Sequence, residues 1–232
     1  MIGVFDSGVG GFNALYEIRR RLPFADILYF ADGANAPYGT KSEDELINLV
    51  KRDANLLKSM GAGEILIACC TASTVFEKLP IAQKQGLTPI ISPAAITAAK
   101  YARISVIATE ATVKSGAFSR EIKKIRPDCK VFELAVQELV SEIEDGSRSG
   151  KISSRCDAIL NELSGIINAK DFDAILLGCT HFSHIEAEIK KRLSGVTVIS
   201  PAREGALALV KKIEVKNDSF CQETGKTVYI RS

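Results

Sequence analysis

Short apolar runs alternate with longer amphipathic stretches along the first part of the chain. Each run has the length of a buried strand, and the runs occupy residues 2–5, 26–31, 64–68 and 88–92. The stretches between them place apolar side chains at helical spacing, over residues 10–21, 42–60 and 71–79. This alternation is typical of a parallel sheet that helices cover on both faces.

The same pattern then occurs a second time. Three segments of the first half have counterparts in the same order in the second half: residues 19–31 and 123–135, 64–71 and 174–181, and 90–95 and 198–203. We therefore predict two similar α/β domains with mainly parallel sheets, related by a pseudo-twofold axis and separated by a cleft that holds the active site. The first domain would comprise residues 1–93 plus 201–232, and the second residues 94–200.

Composition and charge narrow the classes of function. The 232 residues carry 30 basic and 28 acidic side chains in an even spread, so a nucleic-acid partner has little electrostatic support. The N-terminal sequence lacks the pattern of a signal peptide, and Lys100 and Arg103 interrupt the longest apolar region. The sequence predicts a soluble cytoplasmic protein without a membrane partner.

Six cysteines lie at positions 69, 70, 129, 156, 179 and 221, without CxxC spacing, and the chain has only two histidines. A metal site is therefore not predicted. Cys69 and Cys70 follow a buried strand in "LIACCTAS", where core packing, a redox or metal pair and a reactive thiolate are the alternatives. Cys129, Cys156 and Cys221 are interpreted as small core residues.

The internal repeat distinguishes between the two adjacent cysteines. Cys69 lies four residues after Ile65, and Cys179 lies four residues after Ile175. The two thiols are thus expected at equivalent strand ends, where open α/β sheets bind ligands. Threonines follow both positions and can cap helices, whose N–H groups attract anions and lower a thiol pKa from about 8.5 toward neutrality. We predict two thiols on opposite walls of one cleft.

Other candidate groups lie at neighbouring strand ends. Asp6 and Ser7 belong to "FDSGVGG", whose glycines fit a simple turn or a phosphate-binding loop. Asp32 and Tyr38 belong to "ADGANAPYG", which has the turn chemistry of a surface loop and could also line the cleft. His181 lies two residues after Cys179 and can exchange protons near neutral pH.

Five segments together resemble the glutamate racemase family of the aspartate/glutamate racemase superfamily: "GVFDSGVGG", "YFADGANAPYG", "LIACCTAS", "ATEATVKSGAF" and "LLGCTHF". The resemblance extends over roughly residues 1–205. It implies a cofactor-independent enzyme that interconverts L- and D-glutamate and supplies D-glutamate for bacterial peptidoglycan. It also implies two α/β domains with the active site between them, and it leaves open whether the chain forms a homodimer.

The resemblance assigns roles to individual residues. The catalytic groups would be Cys69, Cys179, Asp6, Glu144 and His181. Asp6 would support Cys69, whose thiolate takes the Cα proton of the D-enantiomer, while Glu144 and His181 would support Cys179. The substrate-binding residues would be Asp6, Ser7, Asp32, Tyr38, Gly39, Cys70, Thr71, Thr112, Thr180 and His181.

Cys70 departs from the family pattern, because the family has an asparagine at this position. The change replaces a strong amide donor and acceptor with a weak S–H donor. Two alternatives to glutamate racemisation therefore stay open. One is a racemase of another amino acid, such as aspartate. The other is a non-catalytic paralogue that binds an amino acid or a partner protein, against which the intact Cys69, Cys179, Asp6 and His181 argue.

Overall fold

We describe the protein from a computed structural model, in which residues 1–149, 154–169, 172–193, 195–216 and 225–232 are described. The strands are β1 (Ile2–Asp6), β2 (Ile27–Ala31), β3 (Glu64–Ile67), β4 (Leu87–Pro89), β5 (Arg103–Ala108), β6 (Lys130–Ala135), β7 (Ala174–Gly178), β8 (Thr197–Ile199) and β9 (Thr227–Arg231). The helices are α1 (Phe12–Arg21), α2 (Glu43–Ser59), α3 (Cys70–Ser73), α4 (Ile81–Lys84), α5 (Ile91–Ala98), α6 (Glu110–Ser115), α7 (Ala117–Ile125), α8 (Gln137–Ser149), α9 (Ser154–Ala169), α10 (Glu186–Arg192) and α11 (Pro201–Lys216).

The strands form two sheets, and every described strand pair is parallel. The first sheet has the order β4-β3-β1-β2-β9, and the second has the order β6-β5-β7-β8. Read from its other edge, the second sheet has the order β8-β7-β5-β6. This order corresponds strand by strand to β4-β3-β1-β2 of the first sheet. The prediction of two similar parallel α/β units is confirmed.

The three repeated sequence segments occupy corresponding places in this topology. The first pair contains β2 and β6, and the second contains β3 and β7. The third pair begins directly after β4 in the first half and within β8 in the second half. The C-terminal strand β9 pairs with β2 in the first sheet. The predicted boundary at residue 93 falls within α5, and the division into domains stays a prediction.

Adjacent residues of β3 belong to different hydrophobic clusters, because successive side chains of a strand point to opposite faces. Ile65, Ile67 and Cys69 pack in the cluster that includes residues of α2. Leu66, Ala68 and Cys70 pack in a larger cluster that also contains residues of β5 and β7 in the second sheet. Cys69 and Cys70 therefore face different surroundings although they are neighbours in sequence. No helix in the described ranges is long and apolar enough to cross a membrane.

Candidate active site

One small cavity contains both of the thiols that the repeat singled out. It lies where the carboxyl ends of the two sheets meet, and Cys69 and Cys179 both line it. The other lining residues are Ser7, Pro37, Tyr38, Gly39, Cys70, Thr71, Thr109, Gln137, Val140, Thr180 and His181. Its free volume is about 10 Å³, which is close to the space that one water molecule needs.

Cys69 precedes α3 and caps its N-terminus. Its Sγ accepts a hydrogen bond from the backbone N–H of Ala72 at 3.5 Å, and it lies 3.9 Å from Ser7 Oγ. Burial and the nearby charge of Asp6 nevertheless raise the pKa of Cys69 to about 12. The N–H of Ala72 lowers this pKa, as predicted, but the predicted shift toward neutrality was wrong, because one weak hydrogen bond does not offset desolvation in so small a cavity.

Cys179 immediately precedes the segment Thr180–Ile185, here called the Thr180 turn, which has 3₁₀ geometry. Its Sγ lies 3.6 Å from Nδ1 of His181, and both side chains are buried. An imidazole in contact with a thiol can exchange a proton with it near neutral pH. The two thiols thus have different neighbours, a backbone N–H for Cys69 and a histidine ring for Cys179. The side chain of Glu144, the other predicted support of Cys179, lies outside the described residues.

Asp6 connects the two halves of the site. Its Oδ1 accepts a hydrogen bond from the N–H of Gly8 at 2.8 Å, and its Oδ2 accepts one from Oγ1 of Thr180 at 3.1 Å. Burial raises the pKa of Asp6, and the charge of His181 and the Gly8 N–H offset this only in part. Asp6 therefore fixes the start of the Thr180 turn and acts on Cys69 through its charge.

Asp32 and Thr112 were expected to line the cavity, but both lie behind its wall and are fully buried. Asp32 Oδ2 accepts a hydrogen bond from the Tyr38 hydroxyl at 2.6 Å, and its Oδ1 accepts one from Asn35 Nδ2 at 3.0 Å. These contacts occupy the carboxylate with groups of the protein. Asp32 therefore orients Tyr38, which does line the cavity.

Three threonine hydroxyls form a closed ring beside the cavity. Thr71 Oγ1 lies 3.0 Å from Thr109 Oγ1 and 3.1 Å from Thr112 Oγ1, and the last two lie 2.9 Å apart. Each hydroxyl can donate to one neighbour and accept from another, so all three are satisfied. The ring joins α3 of the first half to the N-terminus of α6 in the second half.

The cavity includes four residues that sequence reasoning missed: Pro37, Thr109, Gln137 and Val140. Thr109 follows the carboxyl end of β5, and Gln137 lies two residues after β6, so the strand-end rule could have found both. Oε1 of Gln137 is buried and accepts no hydrogen bond from any described residue. An unsatisfied acceptor at a cavity wall is a candidate binding group.

A larger, open pocket of about 580 Å³ adjoins the site and shares Ser7 with it. Phe12, Tyr29, Tyr229 and Arg231 are among its lining residues, and neither Cys69 nor Cys179 is. The volume of a pocket therefore does not identify the candidate active site here. The pair of thiols identifies it. Within the described ranges, no group of three or more histidine, cysteine, aspartate or glutamate side chains could hold a metal ion.

Comparison with known protein families shows to which family this chain belongs. The sequence model of the Asp/Glu/hydantoin racemase family matches residues 19–209. The chain belongs to this family. The resemblance inferred from the five sequence segments is confirmed, and so is the interpretation of the chain as an isomerase rather than a binding module.

Individual members of the Asp/Glu/hydantoin racemase family are similar over most of their length. The glutamate racemase of Persephonella marina is 37% identical, over 91% of this chain and 82% of that protein. The glutamate racemase of Aquifex aeolicus is 36% identical, over 94% of this chain and 84% of that protein.

Solved structures of family members have the same fold. The crystal structure of glutamate racemase isoform RacE1 from Bacillus anthracis matches with a TM-score of 0.89 and 28% identity, over 100% of this chain and 88% of that one. The glutamate racemase of Francisella tularensis, solved in complex with D-glutamate, matches with a TM-score of 0.87 and 28% identity, over 99% and 87% of the two chains.

Proposed function

We propose that this protein interconverts L- and D-glutamate by a cofactor-independent two-thiol mechanism and supplies D-glutamate for peptidoglycan. The observation that carries the proposal is the pair of cysteines at the ends of the equivalent strands β3 and β7, which line one cavity. A racemase must remove a proton from one face of Cα and return one to the other face. Two acid–base groups on different walls can do this without a side chain that swings across the substrate.

The proton balance is simple. As a thiolate, Cys69 takes the Cα proton of D-glutamate and becomes a thiol, while the Cys179 thiol donates its proton to the opposite face and becomes a thiolate. L-Glutamate reacts in the reverse direction. His181, 3.6 Å from Cys179, exchanges the proton that resets this thiol. Asp6 holds the turn that carries Thr180, and Glu144 keeps its predicted role as a support of Cys179.

The substrate itself supplies a positive charge that can stabilise the thiolate of Cys69. In the closed cavity the pKa of Cys69 is about 12, so the thiolate is scarce at neutral pH. The α-ammonium group of an amino acid carries a positive charge, and a positive charge within about 4–6 Å favours the ionised form of a thiol. We therefore propose that substrate binding generates the thiolate. The cavity must also widen as glutamate enters, because its free volume is about 10 Å³.

The polar groups of the cavity match those of glutamate. The hydroxyl of Ser7 can donate a hydrogen bond to a carboxylate. The hydroxyls of Thr71 and Thr180 can do the same once binding displaces their present partners, the threonine ring and Asp6. Tyr38, Gly39, Cys70 and His181 complete the proposed wall. Oε1 of Gln137 is an acceptor, and the ammonium group is the only hydrogen-bond donor of ionised glutamate. We assign the ammonium group to Gln137.

Incubation of the purified protein with L-glutamate in deuterium oxide tests the function. We expect D-glutamate to form and its Cα to carry deuterium, because the proton that Cys69 returns to Cα comes from solvent. Proton NMR of Cα and a chiral separation follow the two events. Parallel incubations with aspartate and other L-amino acids identify the substrate. Exchange with aspartate and none with glutamate would overturn the choice of substrate.

Gln137→Leu is expected to raise the KM for glutamate about 10- to 100-fold with a smaller change in kcat, since a hydrogen bond to a charged group contributes roughly 1.5–3 kcal/mol. The same change removes a buried acceptor that has no partner, so the free protein should become slightly more stable. Steady-state kinetics and thermal unfolding measure the two effects. Gln85→Leu, at an exposed position, is the control. An unchanged KM would exclude Gln137 from the binding site.

Cys70→Asn is expected to lower the KM for glutamate, because an amide replaces a weak S–H donor at the cavity wall. Cys70 also packs in the cluster between the two sheets, so the amide will reduce the free energy of unfolding. Kinetics with glutamate and aspartate side by side measure the effect on specificity. If the constants for both substrates stay unchanged, Cys70 serves only the core.

Two further properties stay predictions from the sequence. We propose that the protein acts in the cytoplasm, where peptidoglycan precursors would consume its product. A homodimer is the assembly to test first, by light scattering of the purified protein at several concentrations.

A further inference from the structure

Helix α2 places a carboxylate on its apolar face. Its N-terminus is fixed by a capping box between Ser42 and Glu45. The buried side chains that follow at helical spacing are Leu46, Val50, Asp53, Ala54 and Leu57. Asp53 is fully buried in this row. An ionised carboxylate at such a position is costly unless it is paired or carries a proton.

Asp53 belongs to a compact cluster around the Tyr38 hydroxyl. Tyr38 Oη lies 2.8 Å from Asp53 Oδ2 and 2.6 Å from Asp32 Oδ2. Arg52 donates to Asp53 Oδ1 from Nε at 2.9 Å and from Nη2 at 2.6 Å, and its Nη2 also contacts Asp32 Oδ2. Two buried carboxyl groups thus share one hydroxyl and one guanidinium.

Counting hydrogens shows that this cluster lacks one. Both oxygen–oxygen contacts of Tyr38 have O–H···O distances, so each requires a hydrogen atom between the oxygens. The tyrosine hydroxyl carries only one, and an ionised carboxylate carries none. Among the described residues, Arg52 is the only cation that hydrogen-bonds either carboxyl group. One proton on a carboxyl group completes both hydrogen bonds and leaves the cluster electrically neutral.

The surroundings indicate which carboxyl group holds that proton. Burial acts on both, but at Asp32 hydrogen bonds from Tyr38 and Asn35 outweigh it and leave the pKa below its ordinary value. Burial raises the pKa of Asp53, and the hydrogen bonds from Arg52 offset this only in part. Asp53 Oδ2 is then the donor to Tyr38 Oη, and the Tyr38 hydroxyl donates to Asp32.

We propose that Asp53 is protonated in the folded protein and that, through Tyr38, it positions the loop of residues 37–39 at the substrate cavity. All three residues of this loop line the cavity. A Cβ atom on Gly39 would lie 2.5 Å from Gln137 Oε1 and 3.0 Å from Thr109 Cβ, so the loop packs closely on the second half of the protein. Asp53 is a positioning residue, since it touches Tyr38 and not the cavity. Its effect on catalysis rests on the proposed function.

Two substitutions of Asp53 distinguish between a protonated and an ionised side chain in the wild-type protein. In Asp53→Asn, the amide can donate to Tyr38 Oη and accept from Arg52, as a protonated carboxyl group does. We expect its KM for glutamate to stay within about twofold of the wild-type value. Asp53→Leu removes both contacts and frees the loop, and we expect its KM to rise about tenfold or more with a smaller fall in kcat. Equal increases of KM in the two variants would overturn the proposal.

A measurement of the free energy of unfolding tests whether Asp53 is protonated, and it does not require enzymatic activity. Between about pH 3.9, the ordinary pKa of an aspartate, and the raised pKa of folded Asp53, the folded protein holds one more proton than the unfolded chain. The free energy of unfolding of the wild type should therefore fall, relative to that of Asp53→Asn, as the pH rises from about 4. The groups that face Asp53 are Tyr38, Arg52 and Asp32, and they are common to both proteins.

Asp44→Asn, at an exposed position of the same helix, is the matched control and should lack this relative fall. The infrared band of a protonated carboxyl group should also be present in the wild type and lost in Asp53→Asn. A difference in stability that stays constant or rises with pH would show an ionised Asp53 and overturn the proposal. If the wild type fails to racemise glutamate, the proposed function fails, while the stability and infrared measurements still decide the proton on Asp53.

Discussion

Replacing either Cys69 or Cys179 with serine is expected to abolish racemisation of glutamate, with a fall in kcat of about three orders of magnitude or more. General acid–base groups typically contribute 10²- to 10⁴-fold to rate, and a serine hydroxyl is a far weaker acid than a thiol. Polarimetry or chiral chromatography of the product measures the loss. The fold should tolerate both changes, because serine is close to cysteine in size.

The two variants should differ in a way that identifies each thiol. Cys69→Ser retains Cys179, so it should still exchange the Cα proton of L-glutamate in deuterium oxide without forming D-glutamate. Cys179→Ser should show the mirror result. Cys129→Ser is the control, since Cys129 is buried away from the cavity and donates to the carbonyl of Tyr101, as serine can. Racemisation by Cys179→Ser at the wild-type rate would refute the two-thiol assignment.

Gly10→Ala should have the second largest effect, a fall in kcat/KM of about 100-fold. A Cβ atom at Gly10 would lie 2.5 Å from Thr180 Oγ1 and 3.0 Å from the backbone nitrogen of His181. The methyl group must therefore displace the turn that follows Cys179 and lengthen the hydrogen bond between Asp6 and Thr180. A displacement of about 1 Å at a reacting group can cost 10²-fold in rate.

Gly63→Ala is the matched control, because a Cβ atom there would meet nothing within 4 Å. Kinetics of both variants, together with their free energies of unfolding, separate a local displacement from a general loss of structure. If Gly10→Ala keeps the wild-type kcat/KM, the close approach between the first glycine-rich turn and the Thr180 turn has no catalytic role.

Much of the fold could be predicted from the sequence, because strands and helices depend on local, periodic patterns of apolar residues. Buried strands require short apolar runs, and covering helices require apolar side chains at helical spacing. The repeated segments therefore predicted two equivalent sheets, and counting from Ile65 and Ile175 placed Cys69 and Cys179 at equivalent strand ends. The same count separated Cys69 from Cys70, the first residue of α3, whose side chain packs in a different hydrophobic cluster.

The pKa values and hydrogen-bond partners of the site residues could not be predicted from the sequence in the same way. The strand-end rule correctly indicated N–H groups near Cys69, but it carries no information about desolvation, which raises the pKa of this thiol to about 12. Asp32 was assigned to the cavity wall because it precedes Tyr38 in a loop. Its position behind the wall depends on Arg52 and Asp53, which come from a helix that begins eleven residues later.

The sequence by itself determined the parallel α/β architecture, the internal repeat and the equivalent strand-end positions of Cys69 and Cys179, because each of these depends on spacing along the chain. The family followed from the resemblance of the sequence motifs. The tertiary structure alone decided which polar groups meet. It joined Asp6 to Thr180 across the two halves, and it buried Asp53 against Tyr38. Burial and charge act through space over a few ångströms, and these distances are set only when the two sheets pack together.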